Sequence, residues 1–233
     1  MIDRYTLSKI NEQFVNQSKL FFLYRGIIIC LFLYYSFLMV IITLQYVPID
    51  FAAAFLATKQ HVIHLKHYQI AFFSHVYSSI FILIFGATQF IDKFRVLYPF
   101  IHRLLGTIYV VCILIISAPS GLIMGIYGYG GIVSQISFVV LSILWFYLTL
   151  QAFVFIKRRM ILKHKQYMIL SYSLTLSAIT LRLSKQLLSM FTEIHRYEIY
   201  QISSWIGWVV NLLIACIIVR KIERRYSITQ KAH

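Results

Sequence analysis

Apolar residues come in runs of about twenty or more along this chain, broken by short polar and basic stretches. A helix needs about 20 apolar residues to cross the hydrocarbon core of a bilayer. Six runs meet that length, at 20–46, 68–91, 104–126, 132–156, 164–190 and 201–219. They predict an all-α polytopic membrane protein with six transmembrane helices. Residues 1–19 form a polar N-terminal arm, 20–219 one transmembrane domain, and 220–233 a basic tail. The first run is too long for the apolar region of a signal peptide, so it is expected to remain as a helix. Pro119 falls inside the third run and predicts a kink.

Within four of the runs the polar and small residues line up at helical spacing. In the fifth, Met168, Ser171, Thr175, Ala178 and Arg182 follow His164 on one face. In the second, His75, Ser79, Ile82, Gly86 and Gln89 share a face. In the third, His102, Gly106, Tyr109 and Ile113 do so, and in the sixth Ser204, Trp208, Asn211 and Ala215. Polar groups at membrane depth are costly unless partnered, so these faces are expected to point at one another. A four-helix core from helices two to five follows. Interhelical hydrogen bonding alone accounts for most of the Ser, Thr and Asn positions.

Charge fixes the expected orientation. The chain carries 22 Lys and Arg against 7 Asp and Glu, a formal net charge of +15. In a soluble protein this would suggest nucleic acid as a partner, but here the basic residues lie between apolar runs and no nucleic acid is expected. Seventeen of them fall in the N-terminal arm with Arg25, the 92–103 and 157–165 loops and the tail. Only Lys59, Lys66, Lys185 and Arg196 fall on the other side, with Arg182 in or near the membrane. The excess of positive charge marks the cytoplasmic face and puts both termini there. The expected location is a bacterial inner (cytoplasmic) membrane, with the lipid bilayer as the first partner. Cys30, Cys112 and Cys216 lie inside apolar runs without Cys-x-x-Cys spacing and suggest packing rather than disulfides or zinc.

The histidines carry the candidate chemistry. His102 and His164 each begin a helix leaving the cytoplasmic face, and each is followed by a basic residue, Arg103 or Lys165. At matched depth on opposing helices, two imidazoles can ligate a b-type haem iron axially. Gly106, one turn above His102, would leave room for the macrocycle, and Arg103, Lys165 or Arg95 would neutralise propionates. The competing reading is a pair of interfacial histidines that contact headgroups or loop carbonyls. His75 lies too deep on the opposite side to share that site. With Arg182 it suggests a pocket for a quinone headgroup or a small anion, and with Gln89, Arg182 and Asn211 it makes a second set of polar candidates, the pathway residues of a permease. His61, His64 and His67, spaced by three, suggest either an external metal site or solvated interfacial residues.

Several motifs together resemble a family of predicted bacterial membrane proteins of unknown function. They are His75, Gly86-x-x-Gln89-Phe90, Arg95, His102-Arg103-x-x-Gly106-x-x-Tyr109, Gly130-Gly131, Phe138 and Trp145. His164-Lys165-x-x-Met168-x-x-Ser171-Tyr172, Thr180-Leu181-Arg182 and Trp208-Val209-x-Asn211 complete the set, over residues 68–215. The resemblance implies the six-helix fold and the site, and no activity; Lys165 departs from the Arg common in that family. The placement of histidines on alternate core helices is also similar to the cytochrome b561 type of electron carrier. The lack of a histidine on the fourth helix departs from that pattern.

Two functions lead, ahead of a metal-dependent membrane enzyme using His102, His164 and a further ligand, against which the lack of carboxylates in the helices argues. One is a membrane redox protein with haem b at His102 and His164, serving as an electron carrier or quinone-linked reductase with a redox partner protein. The other is a non-redox membrane protein, a small-solute permease or an accessory subunit alongside other membrane subunits. All seven acids, Asp3, Glu12, Asp50, Asp92, Glu193, Glu198 and Glu223, fall in arms or loops. That argues against proton-coupled transport.

Overall fold

A computed structural model describes residues 4–231, with the side chains of 23, 24 and 26–228. Among the described residues the regular elements are helices, and no strand occurs. Five helical stretches are long and apolar enough to cross a membrane: Gly26–Leu44, Lys66–Thr88, Pro99–Ile126, Gly131–Lys157 and Arg196–Ile228. A division between Ile41 and Ile42 separates an N-terminal unit from the rest. The N-terminal unit is helical. Its helix α1 (Arg4–Leu44) begins well inside the stretch expected to be a polar arm. Glu, Gln, Lys and Leu are good helix formers, and no Pro or Gly interrupts the run before Gly26.

The second unit holds the remaining helices. After a short 3-10 helix, Ala54–Lys59, come α2 (Lys66–Thr88), the brief α3 (Asp92–Leu97) and α4 (Pro99–Cys112). A π-helical turn, Ile113–Ser117, joins α4 to α5 (Ala118–Ile126). Pro119, at the start of α5, has no N–H to return to the carbonyl one turn back, and the wider turn sits immediately before it. The expected kink is therefore a change of helical register.

Gly130 (φ +92°) and Gly131 (φ +68°) turn the chain into α6 (Gly131–Lys157) through left-handed backbone that side chains disfavour. The run expected as one fifth helix is two: α7 (Ile161–Thr175) and α8 (Ser177–Phe191), with Leu176 between them. Each has 15 residues, about 23 Å at the helical rise and short of a full crossing. Finally α9 (Arg196–Lys231) continues through most of the stretch read as a tail. Buried Gln166 of α7 donates to Glu223 Oε1 at 3.2 Å, tying that extension to the bundle.

The main core gathers Ile82 of α2, Tyr109 and Val110 of α4, Trp145, Leu148 and Ala152 of α6, Met168, Tyr172 and Leu174 of α7, and Trp208 of α9. The polar faces read from spacing lie largely inside. Ser171, Thr175, Ser204 and Trp208 are buried. A second cluster builds one end of the unit around Tyr46, Leu56, Val62, Ile63, Tyr68 and Phe72.

Candidate functional site

His102 stands on the first turn of α4 and His164 on the first turn of α7. The His164 ring donates its Nδ1–H to the carbonyl of Ala152 on α6, at 2.8 Å. That bond fixes the tautomer and leaves Nε2 as the lone-pair nitrogen, the arrangement in which metal-binding histidines are held. His102 Nδ1 is buried and, among the described residues, has no hydrogen-bond partner. The two rings lie within electrostatic reach of each other and of Arg95, which is paired with Asp92 at 2.9 Å. Arg103 and Lys165 follow the two histidines and are exposed.

Gly106 meets Gln89. A Cβ on Gly106 would stand 2.8 Å from Gln89 Oε1. The Gln89 amide is held by its own helix through long bonds, 3.3 Å to the Phe85 carbonyl and 3.2 Å to Thr88 Oγ1. So Gln89, expected with the second polar set, stands beside the His102 turn instead.

Above the histidines, Tyr109 is the hub of a buried network. Its hydroxyl shares hydrogen bonds with Ser171 Oγ and Thr175 Oγ1, both 3.0 Å. Trp145 Nε1–H donates to Thr175 Oγ1 at 3.2 Å, and Thr149 Oγ1 shares 2.7 Å with Ser171 Oγ. Nearby, Trp208 Nε1–H donates to Ser137 Oγ, whose own proton goes to the Ser204 carbonyl. These groups join α4, α6, α7 and α9 with their polar atoms satisfied. Periodicity put Tyr109, Ser171 and Thr175 on inward faces. It did not single out Thr149 and the Ala152 carbonyl as partners, although Ser134, Ser142, Trp145, Thr149 and Ala152 share one buried face of α6.

The other three members of the second polar set have separate partners. His75 donates Nδ1–H to the Ser117 carbonyl at 2.9 Å, against the π-turn, with Ser120 Oγ at 3.3 Å. Asn211 accepts from Thr180 Oγ1 at 3.0 Å and donates to the Gly207 carbonyl, binding α9 to α8. Arg182 donates to the Ala178 carbonyl at 2.8 Å and lines a cavity of about 560 Å³. The histidine triplet does not close on itself either. His67 Nε2 bonds Tyr127 Oη at 2.9 Å, and among the described residues no three His, Cys, Asp or Glu gather as a metal site.

Lys59, which no motif marked, is 2 % exposed and donates to the Tyr127 carbonyl at 2.6 Å. Burial pushes its ammonium below the ordinary lysine value. Between the lowered folded value and the ordinary one, the unfolded chain binds more protons than the folded chain. Stability therefore rises with pH across that alkaline window. Thermal unfolding in detergent is expected to show this rise in the wild type and to lose it in Lys59→Met. Identical slopes in the two proteins would contradict it.

Apolar helices packed through buried polar networks define a polytopic membrane protein. The chain belongs to the family described as "Predicted membrane protein (DUF2306)", which matches residues 72–219. That family has no assigned activity, as the resemblance in sequence implied. No curated protein and no solved structure matches the chain.

Proposed function

We propose that this protein is an electron carrier of the cytoplasmic membrane, in which His102 of α4 and His164 of α7 would hold one b-type haem. In this reading the chain crosses six times, α7 and α8 together making the fifth crossing. Both ends lie on the cytoplasmic side, following the excess of Lys and Arg there. The observation that carries the proposal is the contrast between the two rings. His164 is oriented by the Ala152 carbonyl with Nε2 left over, and half-buried His102 lies within its electrostatic reach, its shielded Nδ1 without a partner among the described residues. An orphaned buried polar nitrogen costs free energy, and a ligand or cofactor in the same pocket is one thing that repays it.

The surrounding residues fit the group. Arg103 and Lys165 would supply cations for propionates, Arg95 being held by Asp92, and Gly106 presents no side chain. The Gln89 amide, which faces Gly106, is held only through long bonds to its own helix. When bound, such a haem supplies one-electron transfer. The chain's residues orient the ligand nitrogens, balance the carboxylates and exclude water by the Tyr109 network above. A quinone or a protein redox partner would complete the circuit.

The test is a dithionite-reduced minus oxidised visible spectrum of detergent-purified protein from haem-replete cells. A b-type spectrum is expected in the wild type, and its loss is expected in both His102→Ala and His164→Ala while their thermal unfolding stays cooperative. A colourless wild type overturns the reading. The permease or accessory-subunit reading would then draw on the cationic cavity at Arg182.

A further inference from the structure

The cavity at Arg182 is lined by three cations, Arg182, Lys185 and Arg196, and by the rings of Phe55, Tyr129 and Tyr200. No Asp or Glu lines it, and among the described residues none of the three cations forms an ion pair. Lys59 adds a fourth positive charge behind the wall, with Nζ 5.5 Å from the Phe55 ring centre and 6.0 Å from that of Tyr129. Lys185 lies over the Tyr200 face, 5.1 Å from its centre. Ring faces soften the charge but do not cancel it.

Arg182 is half-buried within an apolar bundle, with one hydrogen bond, to Ala178, among the described residues. A guanidinium has five N–H groups in a planar fork matched to carboxylate and phosphate. Cations gathered at an apolar boundary without a counter-charge repel one another, and an anion between them removes that cost. The volume lies in the range of small-molecule sites, and is far larger than a bare inorganic oxyanion needs. The aromatic faces suit a flat apolar body.

We infer that this cavity binds an organic oxyanion, a carboxylate or phosphate on a compact apolar body. The oxyanion sits on Arg182 with Arg196 and Lys185 at the mouth, and the body lies against Phe55, Tyr129 and Tyr200. The same chemistry is presented by a soluble aromatic acid and by an anionic lipid headgroup. The inference stands apart from haem binding, since none of these residues touches the His102 and His164 turns.

Isothermal titration with phenyl phosphate, on the full chain in phosphatidylcholine nanodiscs, tests it. Saturable binding is expected, weakened roughly ten- to a hundredfold in Arg182→Gln, the loss expected for charge-assisted hydrogen bonds. Arg196→Gln, at an exposed position where folding is not at risk, should weaken binding in the same direction. Absence of saturable binding to the wild type, or equal affinity in wild type and both variants, overturns the inference. Lipid carried through purification separates the sources: phosphatidylglycerol retained by the wild type and lost from Arg182→Gln marks a lipid headgroup, and equal retention in the two marks a soluble anion.

Discussion

Replacing Tyr109 by Ala is expected to lower stability by about 3 kcal/mol, and replacing it by Phe by about 1 kcal/mol. The side chain is fully buried, and its hydroxyl is shared with Ser171 and Thr175. In a bilayer the lost transfer of apolar surface counts for little, because the separated helices lie in lipid as apolar as the core. What Ala loses is packing: the ring lies against Tyr172 and the α2 backbone near Gly86, contacts that a methyl group does not reach. Phe keeps that packing. It removes only the hydroxyl, and Ser171 retains Thr149 while Thr175 retains Trp145. Reversible unfolding in mixed detergent micelles, followed by circular dichroism, measures both. Equal losses in the two variants would place the whole effect in the hydrogen bonds and refute the packing account.

The membrane fold was legible because a bilayer imposes a length on every helix, and composition reports that length directly. Inward faces were legible for the same reason: a Ser, Thr or Asn at membrane depth must find a partner, and the spacing shows on which side. The break at Leu176 was not legible. Its flanks, Thr175 and Ser177, are ordinary helix residues in this setting, and no Pro or Gly marks the point. The α9 extension is not legible in composition, where the basic residues that follow Val219 read as a tail. Charge ends only the apolar part, and Gln166 with Glu223 holds the helix beyond it.

For the candidate sites, spacing identified His102 and His164, but could not show that an α6 carbonyl orients one ring while the other lacks a partner. That distinction depends on a loop turning α6 back against α7. Helical faces and rough depth point His75, Gln89, Arg182 and Asn211 inward, but they do not show which of these residues meet across separate helices. The structure gives each its own partners. The cationic cavity left a trace in the sequence all the same. Lys59, Lys185 and Arg196 are three of the four positive charges that oppose the general charge asymmetry, and they converge with Arg182.

Gly86→Val is the second large effect expected, roughly 3 kcal/mol or loss of folding, with Gly86→Ala costing about 1–3 kcal/mol. In an exposed helix Ala would be the better residue by about 1 kcal/mol. Here a Cβ would stand 2.5 Å from Tyr172 Cδ2 and Cε2 and 2.7 Å from Tyr109 Cε2. Neither ring can yield easily. Tyr172 donates its hydroxyl to the Leu83 carbonyl on α2 at 3.0 Å and packs on Phe90, while Tyr109 is held by α7. Relief at one ring therefore breaks a hydrogen bond at its far end. If this is the cause, Tyr172→Leu should absorb part of the clash, so that the Gly86→Ala/Tyr172→Leu double variant loses less stability than the two single losses added. Strict additivity in detergent unfolding would mean that α2 and α7 move apart as rigid bodies. The glycine would then matter as backbone, and not as the space that Tyr172 occupies.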